Sequence, residues 1–231
     1  MDANNQKLYL RWTVNERIQH WLLAISFIVL VISGFALRYP DTWWAIPMVV
    51  GDSIDLRSLV HRIAATINTA VAVYHVGYLF FTARGRFQLK QLLLKPEDFR
   101  HMRDKILQNL GVKTKPVLFS HYTYWEKFEY WALIWGTIVM LVTGLSLWFE
   151  NIFLQYLSLF YLDVARVIHY YEAILASLSI LVWHFYFVIA NPETYPVNFS
   201  MFNGYLTHEE MLAEHEGELK SILEKEHKTT I

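Results

Sequence analysis

No cysteine occurs among the 231 residues. This excludes disulfides, cysteine-ligated iron–sulfur clusters and the thioether attachment of a c-type haem. Net charge is nearly missing as well, with 20 Lys and Arg against 21 Asp and Glu, so the overall balance names no partner class. There is no glycine-rich dinucleotide fingerprint and no second cofactor motif. Low-complexity segments are absent, and no internal repeat is visible beyond the histidine pattern described below. No cleavable leader is visible either. The first apolar run starts late and is long enough to cross a bilayer, so it is expected to serve as its own insertion signal.

What the chain does have is apolar residues in long runs. Hydrophobic residues make up 55% of it and aromatic ones 16%, and the mean hydropathy is +0.24. Four stretches reach span length: Gln19 to Leu37, Leu59 to Thr82, Lys127 to Phe149 and Ala165 to Ala190. A helix rising ~1.5 Å per residue needs ~20 residues to cross ~30 Å of hydrocarbon. The expected fold is therefore all-α, an integral membrane four-helix bundle. Tyr39-Pro40, Arg84-Gly85-Arg86 and Asn191-Pro192 read as helix stops.

Charge is unevenly placed. The connection from Arg84 to Lys115 is rich in Lys and Arg, whereas those around Asp41 to Arg57 and Glu150 to Asp163 are poor in them. By the positive-inside rule both termini are expected to be cytoplasmic. Residues 87 to 123 then form a cytoplasmic connection with a short amphipathic helix around Pro96 to Leu110. Residues 1–196 read as the transmembrane domain and 197–231 as a cytoplasmic helical tail, in which Thr207 and Glu210 have capping-box spacing. That tail either contacts a partner or lies solvated along the membrane face.

Histidines interrupt two of the spans. His61 and His75 lie fourteen positions apart, His169 and His184 fifteen. At ~100° per residue each pair returns to within roughly 40–60° of one helix face, about 21–23 Å apart along the axis. The second and fourth spans run in the same direction, so His61 and His169 share the outer level while His75 and His184 share the inner one. Facing imidazoles at two depths describe two bis-histidine haem sites in a helix bundle. A histidine-lined metal or ion transporter is the alternative, although apart from Glu172 the span interiors hold almost no carboxylates. His101, His121, His208, His215 and His227 lie in polar segments and read as ordinary surface residues.

A fifth histidine, His20, opens the first span in ERIQHWLLAISFIVLVISGF. That stretch resembles the membrane cytochrome b subunits of formate dehydrogenase and nickel-iron hydrogenase, as do LVHRIAATINTAVAVYH, YWEKFEYWALIWGTIVMLVTGLSLWF and DVARVIHYYEAILASLSILVWHFYF. The branch that accompanies multihaem cytochromes or thiosulfate-reductase-type enzymes is the most similar. The resemblance reaches to about Pro196. It implies two non-covalent b-type haems, the outer held by His61 and His169, the inner by His20 and His184. His75 then remains an alternative ligand, a pocket residue, or the ligand of a third haem.

Arg62 and Arg166 at the outer level and Arg17 at the inner are placed to pair with haem propionates. Gly34, Gly136 and Gly144 would let a porphyrin approach the backbone. Glu172, one turn inward of His169, is an intramembrane acid and a candidate proton acceptor. Two six-coordinate haems leave no open position at iron, so electron transfer is the expected role. The chain is expected in the bacterial or archaeal cytoplasmic membrane, relaying electrons between the quinone pool and a partner redox subunit, such as a multihaem c-type cytochrome or an iron–sulfur protein.

Overall fold

The computed structural model describes residues 7–50, 54–114, 117–192, 195 and 197–230. It divides into two compact units. One runs from Trp12 to Gly85; the other combines the N-terminal segment through Arg11 with the chain from Arg86 onward.

In the first unit, helix α1 (Val14–Arg38) and helix α2 (Leu56–Phe81) form a hairpin. Thr13 caps α1 in a capping box with Glu16: the Glu16 amide donates to Thr13 Oγ1 at 3.3 Å and the Thr13 amide donates to Glu16 Oε2 at 2.7 Å. Two orphan amides are satisfied in this way, so the helix begins five residues ahead of the apolar run. In the connection, strand β1 (Val49–Val50) pairs antiparallel with strand β2 (Ile54–Asp55). The second span ends at Phe81, close to the expected stop, but a new helix, α3 (Ala83–Leu92), begins at once, so Gly85 lies in its first turn and is not itself a loop residue. It serves a close approach instead: a Cβ there would lie 2.0 Å from the Tyr78 carbonyl oxygen.

The second unit begins with a pre-span segment. Helix α4 (Pro96–Asn109) falls where the amphipathic helix is expected. It docks on α5 (Tyr124–Trp148) through a buried ion pair in which Lys127 Nζ meets both Asp98 oxygens at 2.8 and 3.0 Å. Helix α5 has its own capping box, Thr123 with Glu126. A short α6 (Glu150–Phe153) leads into α7 (Leu159–Leu178). The chain continues as π-helical turns over Ser179–His184 and Tyr186–Ala190, so the span extends from Leu159 to Ala190.

These four spans are inside out by the standard of a water-soluble protein. No more than 17% of any apolar window is buried. The residues α1 does bury are Glu16, Gln19, Ser26, Ser33 and Ala36, a single mostly polar stripe. Outward stand Ile25, Ile28 and Ile32 on α1, and Trp135, Ile138 and Val142 on α5. Only hydrocarbon makes that arrangement favourable. The protein is a multi-pass membrane protein.

The segment after Pro196 forms α8 (Ser200–Asn203), a two-residue strand, α9 (His208–Glu214) and α10 (Glu216–Thr230). Its strand, Tyr205–Leu206, pairs antiparallel with Tyr9–Leu10, and Tyr9, Leu206, Met211 and Leu219 form a small apolar core. The expected Thr207–Glu210 capping box is present. Beside this core, the Arg11 guanidinium lies 4.9 Å from the Tyr122 ring centre, donates to the His121 carbonyl, and pairs with Glu126 at 3.2 Å. His121 Nδ1 donates to Glu218 at 2.6 Å, and His215 Nδ1 donates to the Ser120 carbonyl at 3.0 Å. His121 and His215 are thus buried, at 5% and 2% exposure, and are not the surface residues their polar sequence context suggests.

Candidate functional site

Each long hairpin holds two histidines on its inner face. In the first, His61 Nδ1 lies 3.0 Å from Ser33 Oγ and His75 Nδ1 lies 2.8 Å from Gln19 Oε1. In the second, His169 Nδ1 lies 2.8 Å from Thr143 Oγ1 and His184 Nδ1 lies 2.7 Å from Glu129 Oε1. All four rings are half-buried.

The acceptors determine the tautomers. Ser33 Oγ already donates to the Val29 carbonyl at 2.6 Å, and Thr143 Oγ1 to the Val139 carbonyl at 2.7 Å. Each hydroxyl has spent its only proton, so towards the imidazole it accepts. The Gln19 amide is oriented by its Nε2, which donates to Asn15 Oδ1 at 2.8 Å and turns Oε1 to His75. Glu129 accepts as a carboxylate. Toward these acceptors each of the four imidazoles donates through Nδ1–H. A neutral imidazole whose second nitrogen is anchored to the scaffold is the donor that haem iron takes. The residues present fit a b-type haem.

Small residues make the close approach possible. A Cβ on Gly34 would lie 3.2 Å from His61 Cε1, and one on Gly144 would lie 3.2 Å from His169 Cε1. Within each hairpin, then, the group facing the glycine is the imidazole of the paired helix. Gly136 faces Glu172, whose Oε1 would lie 2.7 Å from an added Cβ. That places the one acid well inside the last span against the α5 backbone, between the levels of His169 and His184.

The two hairpins are copies of one plan. Thr13 and Thr123, Glu16 and Glu126, Gln19 and Glu129, Ser33 and Thr143, and Gly34 and Gly144 are each 110 positions apart. Their contacts correspond too, cap for cap and histidine for histidine. This corrects the expectation that no repeat exists beyond the histidines. A self-comparison at one fixed offset would have found it, and with it the four Nδ1 acceptors that reading the histidines alone passes over. The offset also explains the unequal spacings. Gln19 to Ser33 and Glu129 to Thr143 are both fourteen residues, as is His61 to His75, whereas His169 to His184 is fifteen. A π-helical turn absorbs one extra residue, and Ser179–His184 is π-helical. His184 thereby comes back to the face it would occupy at fourteen.

The remaining candidates are placed as follows. His20 is half-buried on α1, one turn beyond Glu16, with its ring edge-on to Trp21 at 5.4 Å. Arg17 is half-buried one turn before it. Arg62 is exposed on α2, and Arg166 is exposed on α7 in an ion pair with Asp163 at 2.8 Å. Among the described residues no group of three or more His, Cys, Asp or Glu is arranged to hold a bare metal ion.

The family model for prokaryotic cytochrome b561 matches residues 11–204. The chain is 26% identical over 178 residues to the cytochrome b556(fdo) subunit of formate dehydrogenase from Escherichia coli K12, covering 76% of each chain. It is 24% identical over 186 residues to the formate dehydrogenase cytochrome b556 subunit of Haemophilus influenzae, covering 80% of this chain and 73% of that one. Four spans, imidazoles anchored between helices and a family match over most of the length agree: the chain belongs to the prokaryotic cytochrome b561 family, as a membrane b-type cytochrome that transfers electrons.

Proposed function

We propose that this chain is the haem-bearing membrane subunit of a respiratory complex, with two non-covalent haems and both termini in the cytoplasm. One haem is ligated by His61 and His169, the other by His184 and His20, with His75 lining the second site. The observation that carries the reading is the set of anchored imidazoles, each with Nδ1–H donated to the paired helix, the arrangement in which Nε2 is the iron-binding atom. When bound, haem supplies one-electron chemistry. The chain's own residues supply the rest. Ser33 and Thr143 hold their rings in the ligating tautomer, Gly34 and Gly144 make room for them, and Arg17, Arg62 and Arg166 are available to propionates. A lipid-facing surface of Ile, Val and Leu keeps the spans in the bilayer, expected to be the inner membrane.

The two relatives described above are named as formate dehydrogenase subunits, which supports a redox partner for this chain as well. We assign the exchange at one end to quinone and at the other to a partner subunit carrying iron–sulfur clusters or multiple c-type haems. A reduced-minus-oxidised spectrum with haem counted per chain tests the reading. Two haems are expected, with one lost in His61→Ala and in His169→Ala. A colourless protein overturns it. For the sixth ligand, haem content is compared in His20→Ala and His75→Ala; loss only in the second moves ligation to His75.

A further inference from the structure

Of the four groups described above that accept Nδ1–H from His61, His75, His169 and His184, three are neutral: the Ser33 and Thr143 hydroxyls and the Gln19 amide oxygen. The fourth is the Glu129 carboxylate, 2.7 Å from His184. Glu129 stands on α5 where Gln19 stands on α1, so the two copies of the plan differ here by an oxygen in place of an NH2 group. Shape is conserved and charge is not. We propose that Glu129 is a positioning residue that acts through His184 to set the midpoint potential of its haem below that of the haem on His61 and His169. This rests on the two-haem reading given above.

The physical chain is short. A carboxylate accepts a stronger hydrogen bond than a hydroxyl or amide and draws the Nδ1 proton toward itself. The ring then gives more electron density through Nε2, which favours ferric over ferrous iron. The charged neighbours on α5 have partners of their own. Lys127, the neighbouring cation on α5, has its ammonium held by both Asp98 oxygens. Glu126 is engaged by its cap and by Arg11. Glu129 and His184 are each about one-quarter exposed, at 24% and 29% for the side chains, which leaves the carboxylate close to low-dielectric surroundings where its field is weakly screened. With unequal potentials, a single electron placed on the chain settles at the His61 and His169 end.

The test is a redox titration of the full-length purified protein followed at the b-type absorption band, with haem counted per chain. The wild type is expected to show two midpoints. In Glu129→Gln the lower should rise by at least a tenfold change in the ferrous-to-ferric ratio, about 59 mV for one electron, with the other midpoint and the haem count unchanged. Glu129→Asp, which keeps the charge, should stay nearer the wild type than the Gln variant. Two haems with a single wild-type midpoint, unchanged midpoints in Glu129→Gln, loss of haem from that variant, or a midpoint in Glu129→Asp equal to that of the Gln variant would each overturn the proposal. A wild-type chain without haem would instead overturn the reading on which it rests.

Discussion

Thr143→Val is the sharpest test of how the scaffold holds its ligands. The change is nearly isosteric, so the packing of α5 against α7 is kept, and what disappears is the acceptor 2.8 Å from His169 Nδ1. Because Thr143 Oγ1 gives its own proton to the Val139 carbonyl, it acts toward His169 purely as an acceptor. A half-buried N–H is then left without it. An unsatisfied donor costs about 1–3 kcal/mol, and loss of an outer anchor typically costs about 10- to 100-fold in ligand affinity. At about 1.4 kcal/mol per factor of ten the two estimates coincide. Haem transfer to a competing apoprotein, followed spectroscopically, reads this directly. Thr143→Val should lose one haem 10- to 100-fold more readily, and Thr143→Ser should restore it. Equal retention in wild type and Thr143→Val would refute the claim that these hydroxyls hold the rings for iron.

Gln19→Glu gives His75 the same carboxylate that His184 has. With His20 as the iron ligand the lower midpoint should fall by less than Glu129→Gln raises it, and a fall as large would transfer ligation to His75. Lys127→Met strands the buried Asp98 carboxylate and should lower stability in detergent by about 3–5 kcal/mol, with much of it regained when Asp98→Asn is added; thermal unfolding reads both. Gly85→Ala should abolish accumulation of folded protein, since its methyl would meet the Tyr78 carbonyl oxygen at 2.0 Å; a wild-type yield of haem-loaded protein would contradict this. Burial, with Arg11 beside it, lowers the His215 pKa to about 4, against raising contributions from Glu126, Ser120 and Glu218. Burial pushes the Glu218 carboxyl up, but His121 and Arg11 outweigh it and hold it below the usual range. Both groups bind protons more readily once the tail is released, so docking weakens as pH falls from about 6.5 toward 4. Amide exchange across α9 and α10 should rise over that interval, and His215→Gln should flatten the rise.

The spans and the paired histidines were legible because length and hydropathy separate membrane helices from all others, and because imidazole is rare inside them. The groups that accept the Nδ1–H of those imidazoles were not. Ser33 and Thr143 look like ordinary small residues of packed membrane helices, and their role appears only once the opposing helix is in register. Gln19 and Glu129 sit near the ends of their apolar runs, where polar residues raise no question. The repeat was hidden because Ser stands for Thr and Gln for Glu, and because α3 and α4 separate the copies. The starts of α1 and α5 were missed by five and three residues, since the capping boxes at Thr13 and Thr123 lie in polar sequence. The burial of His121 and His215 escaped notice for a different reason: each is satisfied by a residue more than ninety positions away or reached through the tail.

The pairing of Tyr9–Leu10 with Tyr205–Leu206 also constrains the order of biogenesis. The N-terminal strand leaves the ribosome first, yet its partner is about 200 residues behind. At about 5–20 residues per second it waits roughly 10–40 s, by which time all four spans have been made. The first hairpin must therefore enter the bilayer without help from that clasp. A nascent chain stalled ahead of Tyr205 would carry an N-terminus still open to proteases, and closure would report that translation had run past the last span.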